Sequence, residues 1–109
     1  MKTILILGAT GTLGAYITLH FKDKGYNVIA SGHRKNDNGF FADHGIQYIP
    51  VDISRKEDFC NLPHSGIDVL ADFAGALPAS MKGYDANLYI DSIIKGTYNV
   101  LEYMRACLL

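Results

Sequence analysis

Four short apolar runs along the chain predict β-strands. The first, Thr3–Leu7, is apolar without alternation after its threonine, which is typical of a strand buried on both faces of a parallel sheet. The later runs are equally short and are bounded by glycine or polar residues. The predicted strands are Thr3–Leu7, 27–31, 46–51 and 69–73.

A helical pattern separates the first two of these runs. Leu13, Ile17 and Phe21 recur at four-residue intervals, which places them on one face of a helix. Gly25 follows as a stop signal. We therefore expect a helix between the first and second strands.

Two shorter helices are predicted in the middle of the chain. The polar loop 32–39 leads into one of them, over residues 40–44. Ser54 and Glu57 have the spacing of a capping box, in which each side chain bonds to the other residue's backbone N–H. That pattern predicts a second short helix that runs through Phe59.

Residues 88–107 are predicted to form one long helix. Gly96 lies in its interior, where glycine costs about 1 kcal/mol relative to alanine, so we expect close packing against another element there. The predicted apolar stripe consists of Ile90, Ile93, Ile94, Thr97, Val100 or Leu101, and Met104.

The alternation of strands and helices indicates βαβ units. Right-handed crossovers between parallel strands favour the order 3-2-1-4. The predicted fold class is therefore α/β, the first half of a Rossmann-type doubly wound parallel sheet with flanking helices. We expect residues 1–109 to form a single domain.

Composition excludes several other classes of protein. The chain is 49% hydrophobic and 19% charged, with a formal net charge of −1, which favours a soluble domain without a nucleic-acid partner. The opening apolar run breaks at Gly8, too early for a signal peptide or a membrane span, so we expect a cytoplasmic protein. Cys60 and Cys107 lack metal-ligand spacing, as do the scattered histidines, and we expect reduced thiols and no metal.

A glycine-rich turn links the first strand to the first helix. Its sequence is Gly-Ala-Thr-Gly-Thr-Leu-Gly, with glycines at Gly8, Gly11 and Gly14. Gly8 allows a sharp turn, Gly11 allows the backbone to approach a pyrophosphate, and Gly14 allows the helix to pack close to the strand. The helix N-terminus then offers free N–H groups to the anion. The turn predicts a dinucleotide site; a purely structural turn is the alternative.

The end of the second strand bears on which dinucleotide is bound. NAD-specific sites carry an acid about 20 residues past the glycine turn, but here Gly32 is the corresponding residue. His33, Arg34 and Lys35 follow it and offer positive charge to a 2′-phosphate. NADP is therefore favoured over NAD. The alternative is a solvated loop, with a site that accepts either cofactor.

Several motifs together resemble one known family. The glycine turn, Asp52-Ile53 after the third strand, Ala74-Gly75 after the fourth and the Gly-Thr-Tyr-Asn-Val-Leu-Glu run from Gly96 are similar to those of the extended short-chain dehydrogenase/reductases, the NAD-dependent epimerase/dehydratase family. The resemblance implies that Asp52 meets the adenine amino group. The expected cofactor-binding residues are Gly8, Thr10, Gly11, Thr12, Leu13, Gly14, His33, Arg34, Asp52, Ile53, Phe73, Ala74 and Gly75.

The sequence departs from the family pattern in three places. Asp72 stands where relatives often have His or Asn, and Ile93 stands where they commonly have Asn. None of the seven tyrosines is followed four residues later by the lysine of the family's Tyr-x-x-x-Lys proton relay, so no catalytic residue is assigned. We expect an NAD(P)-binding domain truncated before the catalytic and substrate-binding regions.

The resemblance also implies what the whole protein does. It predicts a sugar-nucleotide epimerase/dehydratase or a related oxidoreductase that oxidises a sugar carbon by hydride transfer to nicotinamide. A homodimer through the 88–107 helix is a further implication. A non-catalytic dinucleotide-binding or sensing module is the alternative, as is an inactive gene fragment. A polar loop with Ser80, Lys82 and Tyr84 lies where a substrate loop would be.

Overall fold

Four parallel strands form the centre of the computed structural model, which describes residues 2–74 and 86–107. Their order across the sheet is β3-β2-β1-β4, as predicted. Leu7 at the end of β1 lies opposite Ser31 of β2 and Asp72 of β4, so these strands end at the same edge of the sheet. The strands are β1 (Thr3–Leu7), β2 (Asn27–Gly32), β3 (Gln47–Pro50) and β4 (Val69–Asp72).

Helices connect and cover the strands. Helix α1 joins β1 to β2, a short α2 precedes β3, and a 3-10 helix precedes β4. The last three helical segments follow one another without a break, and together they are called the last helix. The segments are α1 (Thr12–Asp23), α2 (Phe40–Asp43), the 3-10 helix (Lys56–Asn61), α3 (Ala86–Tyr89), a π-helical segment (Ile90–Lys95) and α4 (Gly96–Cys107).

Two apolar clusters cover the two faces of the sheet. Ile4 and Ile6 of β1 belong to the cluster that lies beneath α1 and α2. Leu5 and Leu7 belong to the other cluster, which includes Val100 of the last helix. Successive side chains of a strand point to opposite faces, so a strand between two clusters is apolar throughout. This confirms the interpretation of the first apolar run.

The buried face of the last helix differs from the predicted stripe. Its buried residues are Gly96, Val100 and Tyr103, whereas Ile93 and Ile94 are 47% and 64% exposed. The helix is oriented by its contact with the loop after β3, where a Cβ on Gly96 would lie 2.6 Å from the Ile53 Cδ1 atom. The close packing expected at Gly96 is confirmed. The stripe was wrong except at Val100 and the half-buried Met104.

Polar contacts reinforce this orientation. The Asn99 side-chain amide donates a hydrogen bond to the Ile53 carbonyl oxygen at 2.8 Å. The Tyr103 hydroxyl donates to the carbonyl oxygen of Pro63. Both donors lie on the face that carries Val100, so the helix is held to the loops on either side of the 3-10 helix.

One detail of the helix predictions was wrong. Ser54 does not cap a helix: its N–H and hydroxyl both donate to the Asp52 carboxylate, at 3.0 and 2.7 Å. The helix that follows is a 3-10 helix with Arg55 at its N-cap and no side-chain cap. In α1, Leu13 is 59% exposed, and the fully buried positions are Gly14 and Thr18.

Other features concern thiols, metals and membranes. Cys60 and Cys107 are free thiols. Within residues 2–74 and 86–107, no three side chains of the metal-binding types come together. No helix in those ranges has the length and apolar character needed to cross a bilayer.

Candidate functional site

The first and third glycines of the turn are required by the fold itself. Gly8 has φ of +78°, and a Cβ there would lie 2.5 Å from the Ala74 nitrogen and from the Phe73 carbonyl carbon. A Cβ on Gly14 would lie 2.1 Å from the Gly8 carbonyl oxygen. The turn thus packs against the end of β4 on one side and against the start of α1 on the other.

The middle glycine has different surroundings. The nearest described atom to a Cβ on Gly11 would be the Gly8 carbonyl oxygen, at an ordinary contact distance of 3.6 Å. Gly11 is also exposed to solvent. Among the described residues there is therefore room for a Cβ at position 11 that the sequence does not provide.

The start of α1 carries no compensating negative charge. Gly11 is its N-cap and offers no side-chain hydrogen bond, and the first turn contains no acidic residue. The first N–H groups of a helix lack partners within the helix and bear a partial positive charge. Thr12 and Leu13 are exposed in this turn. The arrangement suits an anion, and the pyrophosphate of a dinucleotide fits it.

Thr10 connects the glycine turn to the end of β2. The Ala9 N–H donates to the Ser31 carbonyl oxygen at 2.8 Å. The Thr10 side chain lies beside Gly32, where a Cβ would come within 2.7 Å of the Thr10 Oγ1 atom. Two segments that the sequence predicted to share a site are therefore in direct contact.

A pocket of about 350 Å³ lies beyond the ends of β2 and β3. It brings together two predicted site residues, His33 and Asp52, but Arg34 is not among its lining residues. Lys35 was not among the expected site residues but also lines the pocket; its place in the basic run after β2 is the sequence signal for it. The lining residues are His33, Lys35, Pro50, Val51, Asp52, Arg55 and Asp58.

Hydrogen bonds fix the acidic side of this pocket. The Asp52 carboxylate accepts the two hydrogen bonds from Ser54. The backbone N–H of Asp52 donates to the Asp58 carboxylate at 2.9 Å. The Arg55 Nε atom lies 3.7 Å from the other Asp58 oxygen. Asp58 thus holds both the Asp52 backbone and the Arg55 side chain, which no sequence signal had indicated.

Tyr48 of β3 holds the loop that follows β2. Its hydroxyl lies 3.1 Å from the Gly32 carbonyl oxygen and 2.5 Å from that of Arg34, and donates to this pair of acceptors. Its ring stacks on Phe41, with centroids 5.7 Å apart. Burial raises the pKa of the Tyr48 hydroxyl, the Asp37 charge adds to this, and the Arg34 charge opposes it. Tyr48 therefore remains a neutral donor.

The end of β4 forms the remaining edge of the site. The Phe73 N–H donates to the Leu7 carbonyl oxygen, and the Phe73 ring is partly exposed. The Ala74 N–H donates to the Asp72 carboxylate at 2.9 Å, so this carboxylate is tied to its own loop. Partial desolvation raises the pKa of Asp72, and the bond from Ala74 opposes that rise.

One predicted site residue is buried beneath the last helix, and another lies outside the described residues. The Ile53 side chain is buried against the last helix, 6% exposed, so its contact with a ligand stays a prediction. Gly75 lies outside the described residues, as do Ser80, Lys82 and Tyr84 of the predicted substrate loop.

Comparison with known families agrees with this geometry. The family model described as the NAD dependent epimerase/dehydratase family matches residues 4–109. The chain belongs to this family. It is accordingly an NAD-binding, oxidoreductase-like domain, and its cofactor is a nicotinamide dinucleotide. A search of curated protein sequences found no significant match to this chain.

Solved structures show the same fold. A UDP-galactose 4-epimerase superposes with a TM-score of 0.84 at 18% identity, over 99% of this chain and 35% of its own. An L-threonine dehydrogenase from Clostridium difficile gives 0.76 at 25% identity, over 96% and 33%. A Thermus thermophilus UDP-glucose 4-epimerase, solved with NAD, gives 0.76 at 19%, over 95% and 34%. This family member thus spans about a third of the length of each enzyme.

Proposed function

We propose that the glycine turn and the start of α1 hold the pyrophosphate of NAD(P). One observation carries this proposal: Gly11 alone among the three turn glycines has room for a Cβ, yet it is glycine. The side chain is dispensable for folding at this point, so its absence serves a ligand that approaches the backbone. Gly8 and Gly14 shape the turn, and the N–H groups of Thr12 and Leu13 face the anion.

The adenosine end of the cofactor would occupy the pocket beyond β2 and β3. Asp52 would meet the adenine amino group, as the family resemblance implies, and Ile53 would lie beside the base. Phe73, Ala74 and Gly75 would wall the cofactor at the end of β4. The shared pocket of His33 and Asp52 supports this assignment. When bound, the nicotinamide supplies the centre that accepts or donates a hydride.

The site would prefer NADP because residues 33–35 after β2 are basic and position 32, where NAD-specific sites carry an acid, is glycine. His33 and Lys35 line the pocket, and Arg34 lies between them in the chain. A 2′-phosphate binds favourably to such cations, whereas an acid at position 32 would repel it. The opposing possibility is a site that accepts either cofactor through Asp52.

The binding proposal is tested by exchanging the glycines separately. Gly11→Val is expected to abolish binding of NADP and NAD and to leave the melting temperature close to that of the parent, because only ligand space is lost. Gly14→Ala is expected to lower the melting temperature instead, because its Cβ would overlap the Gly8 backbone. Gly66→Ala serves as a comparison: no described atom lies within 4 Å of the new Cβ, so its loss of stability measures the strain of a φ of +84° without a clash. Unchanged affinity in folded Gly11→Val would refute the proposal.

The cofactor preference is tested by titrating NADP and NAD against the parent and against Arg34→Ala and Lys35→Ala. We expect the parent to bind NADP more tightly, and at least one variant to lose NADP affinity about tenfold with little change for NAD, as expected for a lost phosphate contact. Equal affinities in the parent would show that this loop does not set the preference.

The whole protein's activity is a further proposal. We infer sugar-nucleotide epimerase/dehydratase chemistry, or a related oxidation, with the cofactor bound as above and a sugar nucleotide as substrate. The missing Tyr-x-x-x-Lys pair favours the second candidate, a dinucleotide-binding module without turnover, for residues 1–109 taken alone. An assay of these residues with sugar nucleotides and NAD(P) separates the two, since measurable turnover would exclude the module. The cytoplasmic location expected from the sequence stays a prediction.

A further inference from the structure

The space beside the end of β2 is closed by two side chains. Gly32 is the last residue of β2, the position where NAD-specific domains carry the acid that binds the ribose hydroxyls. A Cβ on Gly32 would lie 2.7 Å from the Oγ1 atom and 2.9 Å from the Cγ2 atom of Thr10. It would also lie 3.2 Å from the Tyr48 hydroxyl oxygen. Any side chain at position 32 must therefore displace Thr10.

Thr10 cannot easily move away. Hydrogen bonds fix the residues on both sides of it. The Ala9 N–H donates to the Ser31 carbonyl oxygen, and the Gly11 N–H donates to the Gly8 carbonyl oxygen at 3.2 Å. Its side chain is β-branched and restricted at χ1, and both branches face position 32. Both clashing atoms are bonded directly to the Thr10 Cβ atom, so they do not belong to the end of a long flexible side chain that could bend away from position 32.

The second wall is also fixed. Tyr48 stacks on the buried Phe41 ring, and its hydroxyl is held by the carbonyl oxygens of Gly32 and Arg34. The same bonds hold the course of the loop that carries His33 and Lys35. The closed space beside β2 and the basic loop after it therefore form one arrangement.

We propose that Thr10 is a specificity-determining residue for the cofactor. It excludes an acid from position 32, so that the ribose end is recognised by the side chains that follow β2. This inference rests on the proposed function, because it assumes that a dinucleotide binds at the turn. It implies that Gly32→Asp alone cannot create an NAD-type site, whereas the same change with a smaller residue at position 10 can.

The contact is tested first without cofactor, by thermal unfolding. Gly32→Asp is expected to lower the melting temperature by at least about 4 °C, as overpacking does in a domain of this size. Adding Thr10→Ala, which removes both clashing atoms, is expected to restore at least half of the loss. Adding Thr10→Val, which has nearly the same shape as threonine, is the matched control and should restore none. Equal rescue by alanine and valine, or no loss in Gly32→Asp, would overturn the inference.

The specificity is then tested by binding of NADP and NAD. The Thr10→Ala/Gly32→Asp double variant is expected to shift the ratio of the two affinities toward NAD by at least about tenfold relative to the parent. Thr10→Ala alone gives the reference ratio of the two affinities, so that the further shift in the double variant is attributed to the acid. An unchanged ratio in the double variant would overturn the role of Thr10 in specificity. A parent that binds neither dinucleotide would instead refute the proposed function, while the unfolding series still reports on the contact.

Discussion

At the scale of single residues, Ser54 was expected to cap a helix but instead orients a side chain of the candidate site. Both its N–H and its hydroxyl bond to Asp52, the carboxylate that we assign to the adenine. Glu57, the other half of the expected capping box, is exposed. The turn thus orients Asp52 before any ligand binds.

This assignment predicts unequal effects for the two residues of the apparent capping box. Ser54→Ala is expected to lower the free energy of unfolding by about 0.5–1.5 kcal/mol, the range for a lost hydrogen bond. Glu57→Ala is expected to have almost no effect, as is usual for exposed positions. Urea unfolding measures both. In an Asp52→Ala background the cost of Ser54→Ala should vanish, and a clear loss of stability in Glu57→Ala would indicate a capping box after all.

At the scale of elements, the last helix is held by a buried phenol. Burial, together with a smaller contribution from the charge of Cys107, raises the pKa of Tyr103 to about 12. In the unfolded chain the ordinary tyrosine pKa is about 10. Between these two values the unfolded chain loses the proton while the folded chain keeps it, so the stability contributed by the neutral phenol is present below about pH 10 and lost as pH rises toward about 12.

Tyr103→Phe is therefore expected to change the pH dependence of stability. The variant should be less stable near neutral pH by about 0.5–1.5 kcal/mol, because the bond to the Pro63 carbonyl oxygen is lost. Its stability should then fall less steeply than that of the parent above about pH 10. Denaturant unfolding at several pH values provides the comparison, with the exposed Tyr98→Phe as control. Parallel profiles for the parent and Tyr103→Phe would argue against the raised pKa.

The sequence predicts elements better than it predicts which faces they bury. The apolar runs and the glycine turn are local signals; the alternation of strands and helices, with right-handed crossovers, gave the strand order, and the turn gave the course of the chain from β1 into α1. The buried face of the last helix depends on where Gly96 meets Ile53, a contact between segments far apart in the chain. Local periodicity contains no information on that contact.

The candidate site divides in the same way. The three turn glycines are recognisable from their spacing, and the structure bears out the sharp turn at Gly8 and the close packing at Gly14, while the ligand contact of Gly11 stays a prediction. Lys35 belongs to the basic run that follows β2 and is recognisable there. Arg55 and Asp58 enter the pocket only because the segment after β3 folds back as a 3-10 helix. No spacing rule predicts this fold-back.

At the scale of the whole molecule, the described surface carries an apolar stripe along the last helix. Ile94, Tyr98 and Leu101 are 64%, 62% and 57% exposed, and they lie three or four residues apart. Residues at such spacing share a helix face, and exposed apolar patches mark interaction surfaces. On this basis we propose the homodimer through the 88–107 helix that the family resemblance implies.

Self-association is therefore expected, and it should depend on this stripe. Ile94→Asp is expected to weaken association at least about tenfold, because a charge would be buried at the centre of the contact. Tyr16→Asp replaces an equally exposed aromatic residue on α1 and should leave association unchanged. Sedimentation velocity over a concentration series measures both. A parent that remains a monodisperse monomer, or equal effects of the two substitutions, would exclude this surface.

The central claim, that a nicotinamide dinucleotide binds at the glycine turn, is tested most directly by NMR titration of the ¹⁵N-labelled chain with NADP. The claim predicts saturable shifts of the backbone amide signals from Gly8 to Gly14, together with those of His33, Lys35 and Asp52. Amides near Gly66 and Tyr103 should remain unshifted. An absence of saturable shifts, or shifts centred away from the turn, would contradict the claim.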